Sequence, residues 1–173
     1  GVGIVWALRR AGFRQHQRVT GVDLVETLLA RRPVDGLRVF LLGGEPGVGE
    51  KAMVNLQRHY PGLQVVGAAH GYFPPTEDEK VVAMIRRARP DLLLVGMGVP
   101  RQEIWLFKQW GDLEVPVGIG VGGLFDLWAG RTNRAPYLFR ALGLEWAYRA
   151  CREPARWRRL RVLPTFIRLV RAE

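Results

Sequence analysis

The sequence predicts an α/β fold: a Rossmann-like, mainly parallel sheet with flanking helices and a basic helical appendage at the C-terminus. Two patterns predict the sheet. Short β-branched runs end in Gly or Pro, and longer segments of helical period alternate with them, which is the signature of βαβ units. A third pattern, a dense run of arginines from residue 149 onward, predicts the appendage. With 173 residues and 48% hydrophobic content there is room for one cored domain. The division falls at the composition shift, with an α/β domain over residues 1–148 and the appendage over 149–173.

Taken in order, Gly1 to Leu8 reads as the opening turn of a helix whose preceding strand or loop is absent, so the chain is expected to be a fragment. Thr20 is placed to cap a helix from about Gly21 to Arg31. Strands are predicted over 38–42, 64–67, 91–95 and 115–120, and helices over 48–59, 76–88 and 101–110. Thr76-Glu77-Asp78-Glu79 carries the hydroxyl and carboxylate of a capping box. Past Pro136 the pattern predicts one long helical stretch and then the arginine-dense tail, with Pro154 and Pro164 as breaks.

The net charge is +10, and only 3 of the 26 basic residues are lysine. The positive field is therefore nearly all guanidinium, the group shaped to hold phosphate bidentately, and phosphorylated ligands or anionic surfaces are implied. The single Cys151 excludes an internal disulfide and a multi-cysteine metal site, which suits a reducing cytoplasm. No stretch of about 18 apolar residues and no signal-peptide pattern occurs.

Three glycine-rich turns close candidate strands: Gly43-Gly44-Glu45-Pro46-Gly47, Gly96-Met97-Gly98-Val99-Pro100 and Gly120-Val121-Gly122-Gly123. In open parallel sheets that edge binds ligands, because helix N-termini and bare glycine amides there approach a phosphate. Together the turns point to a nucleotide, although glycine also serves tight βα turns with no ligand. Neither G-x-G-x-x-G nor a P-loop is present, which disfavours a nicotinamide oxidoreductase or an NTPase.

Pro100-Arg101-Gln102-Glu103 follows the second turn at the ligand edge. Gln102 is a candidate to hydrogen-bond a sugar or a uracil edge; the plainer account puts Pro100 at the first helical position and Glu103 against the helix dipole. Arg18-Val19-Thr20-Gly21-Val22-Asp23 joins a cation, a cap and an acid, and an Arg18–Asp23 surface pair explains it equally well. His70-Gly71-Tyr72-Phe73 and Phe125-Asp126 follow strands; His70 and Phe125 are equally plausible as core residues. Asp126 is the stronger functional candidate, since an acid beyond a Gly-Gly turn is expensive to bury without a role. From Arg149 to Arg171, arginines interleave with Trp157, Leu160, Leu163, Ile167 and Val170 at helical spacing, a basic amphipathic pattern suited to anionic lipid headgroups. No RRM, KH, zinc-finger or helix-turn-helix signature accompanies it.

Read together and in order, these stretches resemble the WecG/TagA/CpsF family of glycosyltransferases. The resemblance rests on Arg18 to Leu24, Phe40 to Gly44, His70 to Phe73, Gly96 to Glu103, Gly120 to Asp126, Arg134-Ala135-Pro136, and Gly143 to Arg149 followed by Glu153-Pro154. It implies inverting, metal-independent transfer of an N-acetylhexosamine-type sugar, N-acetylmannosamine or its uronic acid, from UDP to a polyprenyl-diphosphate-linked acceptor. Such products feed wall teichoic acid, common antigen or capsule. It also implies a peripheral location on the inner face of the bacterial plasma membrane, held by the C-terminal arginines, and a homo-oligomer with which the six tryptophans are compatible.

Carried over by position, Arg18, Gln102 and Asp126 are the catalytic candidates. Gly43, Gly44, Gly71, Tyr72, Gly98, Pro100, Arg101, Gln102, Glu103, Gly122, Gly123 and the appendage residues Arg149, Arg156 and Arg159 are the UDP-binding candidates. Neither a metal nor a cofactor is expected. The sequence contains no D-x-D motif, so guanidinium groups would stand in for a divalent cation on the departing UDP. The family's base is expected just before the residue matching Gly1, so weak UDP-sugar binding and poor turnover are expected of residues 1–173, with Asp126 as the substitute base if turnover is robust. Arg101 stands where the family more often has Lys, a change of shape rather than of charge. The rival class is a non-catalytic, arginine-rich module binding nucleic acid or membrane; the family reading expects no nucleic acid.

Overall fold

The computed structural model describes residues 2–13, 19–31, 35–152 and 162–172, with the side chains of Val2, Arg31, Arg149, Arg152 and Ala172 outside that description. In chain order the helices are α1 (Val2–Arg10), α2 (Gly21–Arg31), α3 (Val48–His59), α4 (Asp78–Ala88), α5 (Arg101–Leu113), α6 (Leu124–Trp128), α7 (Tyr137–Ala141), α8 (Glu145–Arg152) and α9 (Leu163–Ala172). The strands are β1 (Arg38–Gly43), β2 (Gln64–Ala69), β3 (Leu92–Gly96) and β4 (Val117–Gly120). The chain forms two compact units, Gly21–Asn133 and the combination of Gly1–Thr20 with Arg134–Glu173.

In the central unit the four strands lie in the order β2-β1-β3-β4, and every pairing is parallel. The two middle strands bury both faces, which is why they read as continuous apolar runs. Val39, Leu41, Leu92 and Leu94 point into one core with residues of α2, α3 and α6, while Phe40, Leu42, Leu93 and Val95 point into another with residues of α4 and α5. Each fully buried Leu or Phe contributes roughly 2 kcal/mol of transfer free energy. The crossover from β1 to β2 runs through α3 on the first face, and that from β3 to β4 runs through α5 on the second. The winding therefore reverses between β1 and β3, which creates a crevice at the C-terminal ends of those two strands.

In the second unit, α1 and α9 pack together. The Trp6 and Phe166 rings meet edge-on at 6.1 Å, and the Arg10 Nε donates to the Val170 carbonyl at 2.9 Å. Phe139 of α7 lies 5.4 Å from the Tyr148 ring of α8.

The α/β prediction holds, and several local expectations do not. The expected capping box at Thr76 is replaced by a 3-10 turn, Pro75–Glu77, after which α4 starts at Asp78 without a side-chain cap. Asp78 instead accepts hydrogen bonds from Trp105 Nε1 at 2.8 Å and Gln109 Nε2 at 3.2 Å. The predicted strand over 115–120 begins only at Val117, since Pro116 has no N–H to donate to the sheet. Pro100 precedes α5 rather than opening it. The single long helix expected past Pro136 is two short ones, because Gly143 adopts a left-handed φ of 72° after α7. Pro164, expected as a break, sits in the first turn of α9, where a missing N–H costs nothing.

Candidate functional site

The strand-end loops at the crevice are tied to one another by backbone hydrogen bonds. Gly44 N donates to the Gly96 carbonyl at 3.1 Å, Gly71 N to the Gly44 carbonyl at 2.9 Å, and Val121 N to the Val95 carbonyl at 2.8 Å. Glycine is required where the loops touch. A Cβ on Gly43, whose φ is 146°, would lie 2.5 Å from the Gly96 backbone, and one on Gly96 would lie 2.8 Å from the Gly122 carbonyl and the Phe125 ring. The outcome is a rim of bare backbone at the topological switch point, the place where open α/β sheets bind ligands.

Gln102 anchors that rim from beneath. It is 3% exposed, and its Oε1 accepts from Gly98 N at 3.2 Å and from Gly122 N at 3.0 Å, while its Nε2 donates to Glu103 Oε1 at 2.8 Å. One side chain thus fixes the turn after β3 to the turn after β4. The sequence marks Gln102 for a sugar or uracil edge; in the fold its amide oxygen serves two loop amides. Arg101 holds the next loop, with Nη2 donating to the Phe73 carbonyl at 3.1 Å and Cζ 5.9 Å from the centre of the Phe73 ring. Phe73 is buried and packs edge-on against Trp105.

Charge gathers on the outer side of the rim. Arg131 Nη1 lies 2.6 Å from Glu45 Oε2 and 3.9 Å from Asp126 Oδ1. The Arg131 and Thr132 amides both donate to the Asp126 carbonyl, at 2.8 and 3.2 Å, so the loop after α6 is fastened to that helix. The hydrogen bond and charge of Glu45 raise the Arg131 pKa above its ordinary value against a small desolvation penalty, with smaller additions from Asp126 and Tyr72. The guanidinium is therefore cationic at any working pH.

Among the sequence candidates, Gly43 ends β1, and Gly44, Gly71, Tyr72, Gly98, Pro100, Arg101, Gln102, Glu103, Gly122, Gly123 and Asp126 all fall on the strand-end loops or the first turns beyond them. Tyr72 is 65% exposed, and its amide donates to His70 Nδ1 at 3.3 Å. Of the two residues left open between pocket and core, His70 is exposed and Phe125 is core, 1% exposed. Arg18, Arg156 and Arg159 lie outside the described residues, as does the side chain of Arg149. Sequence reasoning missed Arg131 and the role of Glu45. Glu45 sat inside a quoted turn, but Arg131 belongs to no motif, and only its position after Gly130, with a φ of 72°, hinted at a tight turn.

Among the described residues no cluster of three metal-ligating side chains occurs, and no helix is long and apolar enough to cross a membrane. A family model described as "Glycosyl transferase WecG/TagA/CpsF family" matches residues 1–173. The chain belongs to the WecG/TagA/CpsF family of glycosyl transferases. Its similar relatives include the N-acetylglucosaminyldiphosphoundecaprenol N-acetyl-beta-D-mannosaminyltransferases of Staphylococcus aureus strains MRSA252, MW2 and NCTC 8325, each 40% identical over 167 residues. Those matches cover 96% of this chain and 65% of each relative, so the chain spans a little under two thirds of their length. Within this WecG/TagA/CpsF chain, the rim and its buried Gln102 occupy the stretches that carried the resemblance.

Proposed function

We propose that this chain forms the nucleotide-sugar half of an inverting, metal-independent glycosyltransferase. It would move an N-acetylmannosamine-type sugar from UDP to polyprenyl-diphosphate-linked N-acetylglucosamine, in the synthesis of wall teichoic acid or a related surface polysaccharide. The observation that carries the reading is the interlocked glycine rim at the switch point, fixed from below by Gln102 and bordered by Arg131, Glu45 and Asp126. A guanidinium beside turns that carry no side chains suits a diphosphate leaving group, which can approach closely and whose charge grows as the glycosidic bond to UDP lengthens. In this reading Gln102 acts as a positioning residue and Asp126 offers a carboxylate to the reacting sugars. The relatives' names supply the sugar and the acceptor.

Membrane attachment fits the same proposal. Leu163, Ile167 and Leu169 of α9 are exposed beside Arg168 and Arg171, a combination suited to an anionic bilayer surface on the cytoplasmic side. Arg149, Arg156 and Arg159 are proposed to reach the diphosphate from the appendage, and Arg18 to join the pocket.

The test is calorimetric titration of UDP into the chain, with and without a nonspecific oligonucleotide, followed by a transfer assay with UDP-N-acetylmannosamine in EDTA. UDP binding that the oligonucleotide leaves intact, and transfer that EDTA leaves intact, support the reading. Tight, salt-dependent oligonucleotide binding with no effect of UDP would replace it with a nucleic-acid module. Sedimentation with anionic vesicles, before and after truncation at Pro154, tests the appendage; unchanged sedimentation removes the tail from membrane binding.

A further inference from the structure

Arg131 differs from Arg101 and Arg38 in what holds it, and from Arg86, whose exposed partner Glu114 follows α5, in lying at the strand-end loops. Arg101 donates to a loop carbonyl, and Arg38 donates to the carbonyls of Ala88 and Arg89 at the opposite end of the sheet. These are fixed structural bonds to neutral acceptors. Arg131 instead faces carboxylates from two separate segments, Glu45 in the turn after β1 and Asp126 in α6, at the rim itself. Its backbone is fastened by the bonds of residues 131 and 132 to the Asp126 carbonyl, so the side chain starts from a fixed point beside α6. Its side chain is 45% exposed and that of Glu45 is 56% exposed. An ion pair so open to water is readily exchanged for a stronger anion.

Glu45 sits one residue beyond Gly44, whose amide and carbonyl both help build the rim. An anion seated on that rim would meet the Arg131 guanidinium where the Glu45 carboxylate now lies. A diphosphate carries more charge than one carboxylate and presents several oxygens to the planar donor fork, so it outcompetes Glu45 in both charge and geometry.

We propose that Arg131 is a binding residue for the diphosphate of the nucleoside-diphosphate donor, and that Glu45 is its exchangeable counter-ion, released as the nucleotide seats. This rests on the nucleotide reading above. It assigns the recognition of negative charge at the switch point to Arg131, a residue that no motif marks.

The experiment is calorimetric titration of UDP, inorganic pyrophosphate and uridine into the 173-residue chain and its Arg131→Met, Arg131→Lys and Glu45→Gln variants, with thermal melts as the folding check. Arg131→Met is expected to weaken UDP and pyrophosphate about tenfold or more while leaving uridine unchanged, and Arg131→Lys to fall between. Glu45→Gln is expected to tighten both phosphorylated probes about threefold, because it removes the competitor without removing the cation. Opposite signs from the two partners are the signature, since a merely structural ion pair would weaken binding from either side. If Arg131→Met fails to fold, the Glu45→Gln result decides alone. Wild-type binding of UDP that is unchanged in Arg131→Met, or weakened by Glu45→Gln, overturns this assignment and leaves the nucleotide reading standing. A wild-type chain that binds neither UDP nor pyrophosphate overturns both.

Discussion

The two ends of the parallel sheet use the same residue types in opposite ways. At the N-terminal end, Arg38 is absorbed into structure: Nη2 donates to the Ala88 carbonyl at 2.7 Å, Nε to the Arg89 carbonyl at 2.9 Å, and its backbone amide donates to Asp91 Oδ2 at 2.9 Å. These bonds satisfy carbonyls that the end of α4 leaves without helical partners. At the C-terminal end glycines leave the backbone bare, and Arg131 rests on exposed carboxylates. Arg38, bonded to carbonyls, is a structural part, whereas Arg131, paired with an exposed acid at the strand-end loops, is available for exchange. Composition counts both alike.

The largest way to break this contrast is at the rim's closest contact. Gly43→Ala puts a methyl 2.5 Å from the Gly96 backbone, which cannot rotate away, and is expected to destabilise the chain by roughly 3 kcal/mol and abolish UDP binding. A denaturant midpoint equal to wild type would mean that the two loops are not locked. Next in size, Gln102→Ala strips the acceptor from the Gly98 and Gly122 amides and should cost about 2 kcal/mol, with UDP affinity falling alongside. UDP affinity left unchanged by Gln102→Ala would mean that the two turns keep the site's shape without this side chain.

Arg38→Met sharpens the comparison from the other end. It is expected to cost about 1–2 kcal/mol by urea unfolding while leaving UDP affinity unchanged, the reverse of the pattern expected for Arg131→Met. Weaker UDP binding in Arg38→Met would erase the distinction between the two ends. A smaller effect is expected at Tyr60, beyond the end of α3, where burial and then the nearby Glu26 carboxylate raise the phenol above its usual pKa of 10.0. The fold favours the neutral phenol, so this contribution is complete below pH 10 and is lost as pH climbs through the raised value. Urea midpoints taken above pH 10 should fall more steeply for wild type than for Tyr60→Phe. Smallest of all, Arg86→Ala breaks an exposed pair with Glu114 and should change stability by less than about 1 kcal/mol.

Much of the site was legible because glycine and periodicity are local signals. The turns at Gly43-Gly44, Gly96 to Gly98 and Gly120 to Gly123 announced strand ends, and α3 was found at its observed limits. Arg131 was not legible, since nothing in Gly130-Arg131-Thr132 records that Glu45, 86 residues earlier, will lie beside it. Gln102 was legible as a residue of interest but not in its role, because burial and the direction of its amide depend on where β4 pairs. Thr76 and Gly143 erred in the other direction. The capping pattern around Thr76 was overridden by Pro75 and by the hydrogen bonds that Trp105 and Gln109 donate to Asp78, and the helical period past Pro136 hid the left-handed turn at Gly143.

By itself the sequence determined the class of fold, the alternation of strands and helices, the excess of guanidinium, and the glycines at the strand ends. Each follows from side-chain chemistry acting over a few neighbouring residues. The tertiary structure alone decided the strand order β2-β1-β3-β4, the crevice where the winding reverses, and the pairing of α1 with α9. It also decided which arginine faces an exchangeable acid. Those outcomes depend on contacts between residues far apart in the chain, whose free energy is set by packing and burial that no local pattern encodes.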